Sequence, residues 1–115
     1  MTVTMTYNAR CGTARAVLEH LRAKGIEPQI REYLKAPLTR DEIAALAQAA
    51  GVRPRDFVRW KETDALAEAG VNEKSSDAAL LDAMAAHPIL LNRPIVTTPK
   101  GTRLCRPSET VAELL

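Results

Sequence analysis

Strand-like segments stand at the two ends of this chain, and residues 39–87 between them carry only helical pattern. A sheet made from such a chain must therefore draw its strands from both ends. At the first end, "TVTMTY" (Thr2 to Tyr7) alternates with β-branched residues and reads as a strand. Gly12 to Lys24 reads as a helix, with Ala14, Val17, Leu18 and Leu21 on one face and Gly25 as its stop. "PQIREYL" follows as a second strand, with Ile30, Glu32 and Leu34 on one side and Arg31 and Tyr33 on the other. Strand, helix and strand joined by short turns predict a βαβ unit with parallel strands. At the other end, "RPIVTT" and "TRLCR" flank "PKG" and predict a hairpin. Pro107 then suits the first position of a last helix, "PSETVAELL".

The segment between opens on a strong helix start. In "LTRDEIAAL", Thr39 and Glu42 have capping-box spacing, and Leu38 and Ile43 occupy hydrophobic-staple positions. Ile43, Leu46, Ala47 and Ala50 form the stripe to be buried, and Gly51 closes the helix. "RPRDFVRW" predicts a short helix with Phe57 inward, and "TDALAEAG" another that ends at Gly70. Ser76 caps "DAALLDAMAA", which stops at His87-Pro88.

The order is β-α-β, a helical block, then β-β-α. These are the two halves of a thioredoxin-like mixed sheet, so the expected architecture is α/β with a helical insertion at about 39–87. At 115 residues the chain is expected to be one domain, 1–115. Apolar residues at 46% and charged residues at 26% are ordinary for a globular chain. A net charge of +2 gives no ground for a nucleic-acid partner. No apolar run approaches the roughly 18 residues of a membrane span. "MTVTMTYNAR" has neither a basic leader nor a long apolar stretch, so nothing marks it for export. The two cysteines lie near opposite ends, unlike a disulfide scaffold, and the expectation is a reducing cytoplasm. The two histidines are also far apart, so no zinc-ligand pattern exists and no metal is expected.

Cys11 is the residue that asks for chemistry. It follows the first strand and opens the first helix, where the N–H groups of Gly12, Thr13 and Ala14 and the helix dipole favour negative charge. Arg10 and Arg15 lie beside it in sequence, and a thiolate so placed titrates below the free value of about 8.5. The same N–H groups suit a tetrahedral anion. Ala14 rules out a CxxC dithiol, and Val17 stands where a C-x5-R phosphatase loop needs arginine. Cys105 instead lies in the apolar alternation of a strand and reads as a small core hydrophobe. Arginine outnumbers lysine 11 to 5, and its planar fork is the better oxyanion grip.

Taken together, "CGTAR", "HPILLNRPIV" and "GTRLCRPSE" make the chain similar to the ArsC-type arsenate reductases of the glutaredoxin-coupled class, over essentially its whole length. The resemblance implies that Cys11 is the nucleophile that attacks arsenate, and that Arg93 and Arg106 bind the anion. It puts a third anion-binding arginine in the helical insertion, where the register points to Arg59 in "FVRWKE", with Arg53 and Arg55 close by. Pro94 matches the cis-proline of thioredoxin-like folds, and Asn8, Thr13 and Arg15 match positions that shape or support the cysteine loop. Some members carry "HNP" ahead of the cysteine. Here "YNA" puts Tyr7 in place of a histidine that would favour the thiolate, with Arg10 as a permanently charged neighbour.

The resemblance also implies partners. Glutathione acts as co-substrate and attacks the cysteine-bound arsenic, glutaredoxin resolves the adduct, and no tightly bound cofactor is needed. A monomer is the default at this size. Two rivals share the fold. One is a glutathione-dependent thiol/disulfide reductase, which needs Cys11 but not converging arginines. The other is an Spx-like RNA-polymerase-binding regulator, which usually carries the CxxC pair that Ala14 breaks.

Overall fold

A computed structural model describes residues 2–115. Contacts divide the chain into two compact units, Met1–Ala36 with Arg93–Leu115, and Pro37–Asn92.

The first unit holds the sheet. Its elements are β1 (Thr4–Thr6), α1 (Gly12–Ala23), β2 (Gln29–Arg31), β3 (Ile95–Thr98) and β4 (Gly101–Leu104). The strand order is β2-β1-β3-β4. β1 and β2 run parallel, with Met5 opposite Ile30, as the βαβ reading requires. β3 runs antiparallel to β1 and pairs with β4 as the expected hairpin. This is the thioredoxin-like mixed sheet. Its topology has a direct consequence for function: the end of β1, the start of β3 and the end of β4 lie at one edge of the sheet. Residues just outside those three points meet there.

One side of the sheet carries α1, whose apolar stripe is buried as expected: Ala14, Val17, Leu18 and Leu21. Val17, Leu18 and Leu21 join Val3, Met5, Val96, Cys105, Val111 and Leu114 in one core. Burying a side chain such as Leu21 contributes about 2 kcal/mol. Tyr7, offered by the sequence at the place of a histidine, packs its half-buried side chain against this core.

Two expectations need correction here. The second strand does not continue to Leu34: it ends at Arg31, and Lys35 N–H and Ala36 N–H both donate to the Glu32 carbonyl at 2.9 Å. Tyr33, in that turn, is fully buried, while Leu34 beside it and Ile30 in β2 are exposed, on opposite sides as the alternation places them. The last helix is a 3-10 helix, Ser108–Leu114, and Pro107 precedes it as the cap residue, not as its first residue. Its bonds reach back three residues, Thr110 N–H to the Pro107 carbonyl and Leu115 N–H to the Ala112 carbonyl. A segment this short gains few four-residue bonds, so the tighter turn competes.

The second unit is helical: α2 (Arg40–Ala50), a 3-10 turn at Pro54–Phe57, α3 (Thr63–Ala69), α4 (Asp77–Ala86) and a 3-10 turn at Pro88–Leu90. The capping box forms in full: Glu42 N–H donates to Thr39 Oγ1 at 3.1 Å, and Thr39 N–H donates to Glu42 Oε1 at 2.9 Å. Leu38 and Ile43 are buried, as a staple requires. Gly51 ends α2 at φ 70°, a conformation that favours glycine. Ser76 Oγ accepts from Ala79 N–H at the start of α4. Phe57, Leu80, Met84, Leu90 and Leu91 are almost fully buried. Among the described residues no helix is long and apolar enough to cross a membrane.

Candidate active site

The loop between β1 and α1 is tied by its own short bonds. Cys11 N–H donates to the Asn8 carbonyl at 2.9 Å, and Arg10 N–H donates to Asn8 Oδ1 at 3.0 Å. Asn8 is buried and thus shapes the turn with both its backbone and its side chain. Arg15 Nη1 donates to the Ala9 carbonyl at 2.9 Å, which ties the first turn of α1 back over the loop. The result fixes Cys11 as the cap residue of α1, extended at φ −90° and ψ 115°. A Cβ added at Gly12 would meet Arg15 Nη2 at 3.8 Å, an ordinary contact, so packing within the protein does not demand glycine there.

Arg93 stands just before β3 and Arg106 just after β4, so the sheet topology delivers both to the edge where β1 hands over to Cys11. The Arg93–Pro94 bond is cis, as the thioredoxin-like reading implied for Pro94, and the Arg106–Pro107 bond is cis as well. Ile95 N–H donates to Thr6 Oγ1 at 2.8 Å, pinning the start of β3 to the end of β1. Cys105 N–H donates to the Pro94 carbonyl at 2.9 Å, pinning the end of β4 to the same place. Arg106 Nη1 then donates to the Arg93 carbonyl at 2.8 Å and to Cys11 Sγ at 3.6 Å. One backbone carbonyl thus aims the guanidinium at the sulfur. The Arg93 side chain is buried there too, at 8% exposure.

These neighbours decide the state of the sulfur. Burial pushes the Cys11 thiol up, but the Ala14 N–H, the Arg106 guanidinium and the Arg93 guanidinium outweigh it and hold the thiol below its ordinary value. The Cys11 side chain makes no regular capping bond, yet the Ala14 N–H still favours its negative form. The cysteine, two arginines and a helix N-terminus therefore make surroundings that favour negative charge at the sulfur.

The residues beside Cys11 in sequence contribute differently from what their proximity suggests. Arg10 is exposed, and Arg15 bonds the Ala9 carbonyl. Thr13 is half-buried, and its hydroxyl makes no hydrogen bond among the described residues. The donor that reaches the sulfur, Arg106, lies far along the chain. No signal short of the resemblance separates it from the other arginines.

Within the helical unit, the three arginines considered for the third place are held in distinct ways. Arg53 clasps Asp77 through Nε and Nη2 at 3.1 Å. Arg55 donates Nη1 to the Glu73 carbonyl at 2.9 Å and Nη2 to the Ser75 carbonyl and to Asp77. Both hold the loop ahead of α4. Arg59, half-buried, makes two longer bonds, to Glu62 and Asn92, each at 3.3 Å. Among the described residues no cluster of His, Cys, Asp and Glu is arranged to hold a metal ion.

Comparison with known proteins agrees on one group. The model of the ArsC family matches residues 7–114. A protein of Rhizobium meliloti (strain 1021) named arsenate reductase is 53% identical over 116 residues, spanning 100% of this chain and 82% of that relative. An arsenate reductase of Escherichia coli (strain K12) is 49% identical over 114 residues, with 98% and 80% covered. The solved structure of an arsenate reductase from Vibrio cholerae superposes with a TM-score of 0.90 at 37% identity, covering 100% of this chain and 98% of that one.

Proposed function

The chain belongs to the ArsC family, and from that premise we propose that it is an arsenate reductase whose nucleophile is Cys11. The observation that carries the reading is the Cys11 sulfur, held below its ordinary thiol value and faced by Arg106 Nη1 at 3.6 Å. Arsenate brings one to two negative charges that would repel a thiolate. Arg93 and Arg106 neutralise them and orient the oxygens, with Arg59 as the third arginine, so catalysis is positioning and electrostatics. The α1 N–H groups at Gly12, Thr13 and Ala14 add donors for the same oxygens.

In this reading the Cys11 thiolate attacks arsenic, a sulfur–arsenic bond forms, and one oxygen leaves as water after taking up protons. Two electrons then come from thiols outside this chain. Glutathione sulfur bonds to the cysteine-bound arsenic as a second oxygen leaves as water. The glutaredoxin thiol attacks that glutathione sulfur and breaks its bond to arsenic, so the electron pair passes to arsenic and a glutathione–glutaredoxin disulfide forms. Water then cleaves the bond between arsenic and Cys11, releasing arsenite and the Cys11 thiolate. Glutathione is thus a co-substrate, and the chain needs no tightly bound cofactor. Two free cysteines, one of them reactive, suit a reducing cytoplasm. A monomer is the working form in this reading.

The test is arsenate-dependent NADPH consumption with glutathione, glutaredoxin and glutathione reductase present. Turnover by the wild type that vanishes in Cys11→Ser supports the reading. A folded wild type with a reactive Cys11 and no arsenate turnover overturns it.

A further inference from the structure

We infer that Glu62 and Asn92 are positioning residues for Arg59, which hold its guanidinium from two sides and moderate its charge. The inference rests on the reading of Arg59 as an oxyanion-binding arginine.

The backbone beneath Arg59 is fixed first. Arg59 N–H donates to the Leu90 carbonyl at 2.8 Å, and Asn92 N–H donates to the Phe57 carbonyl at 2.7 Å. These two bonds frame an antiparallel bridge between Val58 and Leu91. With the backbone held, the direction of the guanidinium depends on its side-chain partners. Glu62 Oε1 accepts from Nε and Asn92 Oδ1 accepts from Nη1, each at 3.3 Å. The rest of the fork, Nη2 included, makes no hydrogen bond among the described residues.

Glu62 stands at the start of α3, within three residues of Arg59. It is the cap residue of α3, yet its side chain makes no bond to the helix N–H groups. The shorter Ser, Thr, Asp and Asn are the side chains that accept from the second or third N–H of a helix, and the longer glutamate is free of that role. Here it turns to Arg59 instead. Both contacts exceed the usual N–H···O range, so the grip is loose. Arg53 and Arg55, by contrast, are bound at shorter distances by Asp77 and loop carbonyls. A loosely held guanidinium suits a ligand that comes and goes. The carboxylate beside it lowers the attraction for any anion, product and phosphate included. The Arg59 and Glu62 side chains keep 20% and 33% of their exposure, so solvent screens the pair and the effect is modest.

Three variants separate orientation from charge. Glu62→Gln keeps an acceptor and removes the charge, Glu62→Ala removes both, and Asn92→Ala removes the neutral contact. The readouts are arsenate KM and kcat, and the inhibition constant of inorganic phosphate as an unreactive anion. Glu62→Gln should tighten phosphate inhibition by about two- to fivefold at low salt. That gain should shrink as salt is raised. Relative to Glu62→Gln, Glu62→Ala should raise arsenate KM by about two- to fivefold with kcat less affected. Asn92→Ala should raise KM over wild type to a similar extent.

Identical behaviour of Glu62→Gln and Glu62→Ala, or phosphate inhibition unchanged in all three variants, overturns the inference. Glu62→Gln is nearly isosteric, so it keeps the test decisive even where an alanine variant unfolds. Arg59→Ala distinguishes the two levels. If it collapses kcat/KM while the three variants match wild type, the positioning inference alone falls. If Arg59→Ala turns over arsenate like wild type, the reading of Arg59 falls and takes this inference with it.

Discussion

Cys11 and Cys105 are both free, both buried and both in the unit that holds the sheet, yet their sulfurs meet opposite surroundings. Cys105 is a member of the apolar core, where the nearest polar partner of Sγ is the Arg103 carbonyl at 3.7 Å. Burial pushes its thiol up to about 11, with Arg103 opposing and Glu113 adding to the rise. Cys11 feels the same penalty of burial, but a helix N–H and two guanidinium groups reverse it. Depth does not make a cysteine reactive. Donors aimed at the sulfur do, and in this fold the edge of the sheet supplies them.

The largest effect that sharpens this contrast is at Cys11, the proposed nucleophile. Cys11→Ser should lower arsenate turnover on the order of a thousandfold or more in the coupled assay. Cys105→Ala should leave turnover within about twofold of wild type, because its sulfur lies in the apolar core and bonds a backbone carbonyl. Equal losses in the two variants would erase the distinction between the cysteines.

Next comes the arginine that binds both the sulfur and the Arg93 carbonyl. Arg106→Ala should lower kcat/KM by about a hundredfold, as expected for truncating a half-buried charge partner of the sulfur. Arg106→Lys should recover part of that, since lysine restores the charge but not the fork that reaches two acceptors. A lysine variant no better than alanine would mean that geometry, not charge, carries the effect.

The smallest effect is on stability, and its sign differs between the two residues. The folded state favours the Cys11 thiolate, so its contribution grows as pH rises through the lowered folded value and is complete above the unfolded value of about 8.5. The folded state favours the Cys105 thiol, so its contribution is full below about 8.5 and is lost as pH rises toward about 11. Urea midpoints measured from neutral pH to about 10 should therefore fall more steeply in wild type than in Cys105→Ala. Parallel slopes would contradict a raised Cys105 thiol.

What the sequence makes legible follows from how local each signal is. The Thr39–Glu42 capping box, the Gly51 and Gly70 stops, the Ser76 cap and the β3–β4 hairpin are written in windows of a few residues, and all of them form. The outward Leu34 and the inward Tyr33 were not legible, because the Glu32 turn that ends β2 leaves no mark on the apolar alternation. The same holds at the site. Arg10 and Arg15 adjoin Cys11 in sequence and yet one is exposed and the other serves the Ala9 carbonyl. Arg106 reaches the sulfur only because three strand ends share one edge of the sheet. Residue spacing alone gives no reason to choose it; the resemblance did.

The most direct test of the account is the pH dependence of iodoacetamide alkylation at Cys11, measured in a Cys105→Ala background with and without Arg106→Ala. The account predicts a reactive thiolate whose midpoint lies below the ordinary cysteine value and moves up when Arg106 is removed. A midpoint at or above the ordinary value, or one that Arg106→Ala does not move, would contradict it.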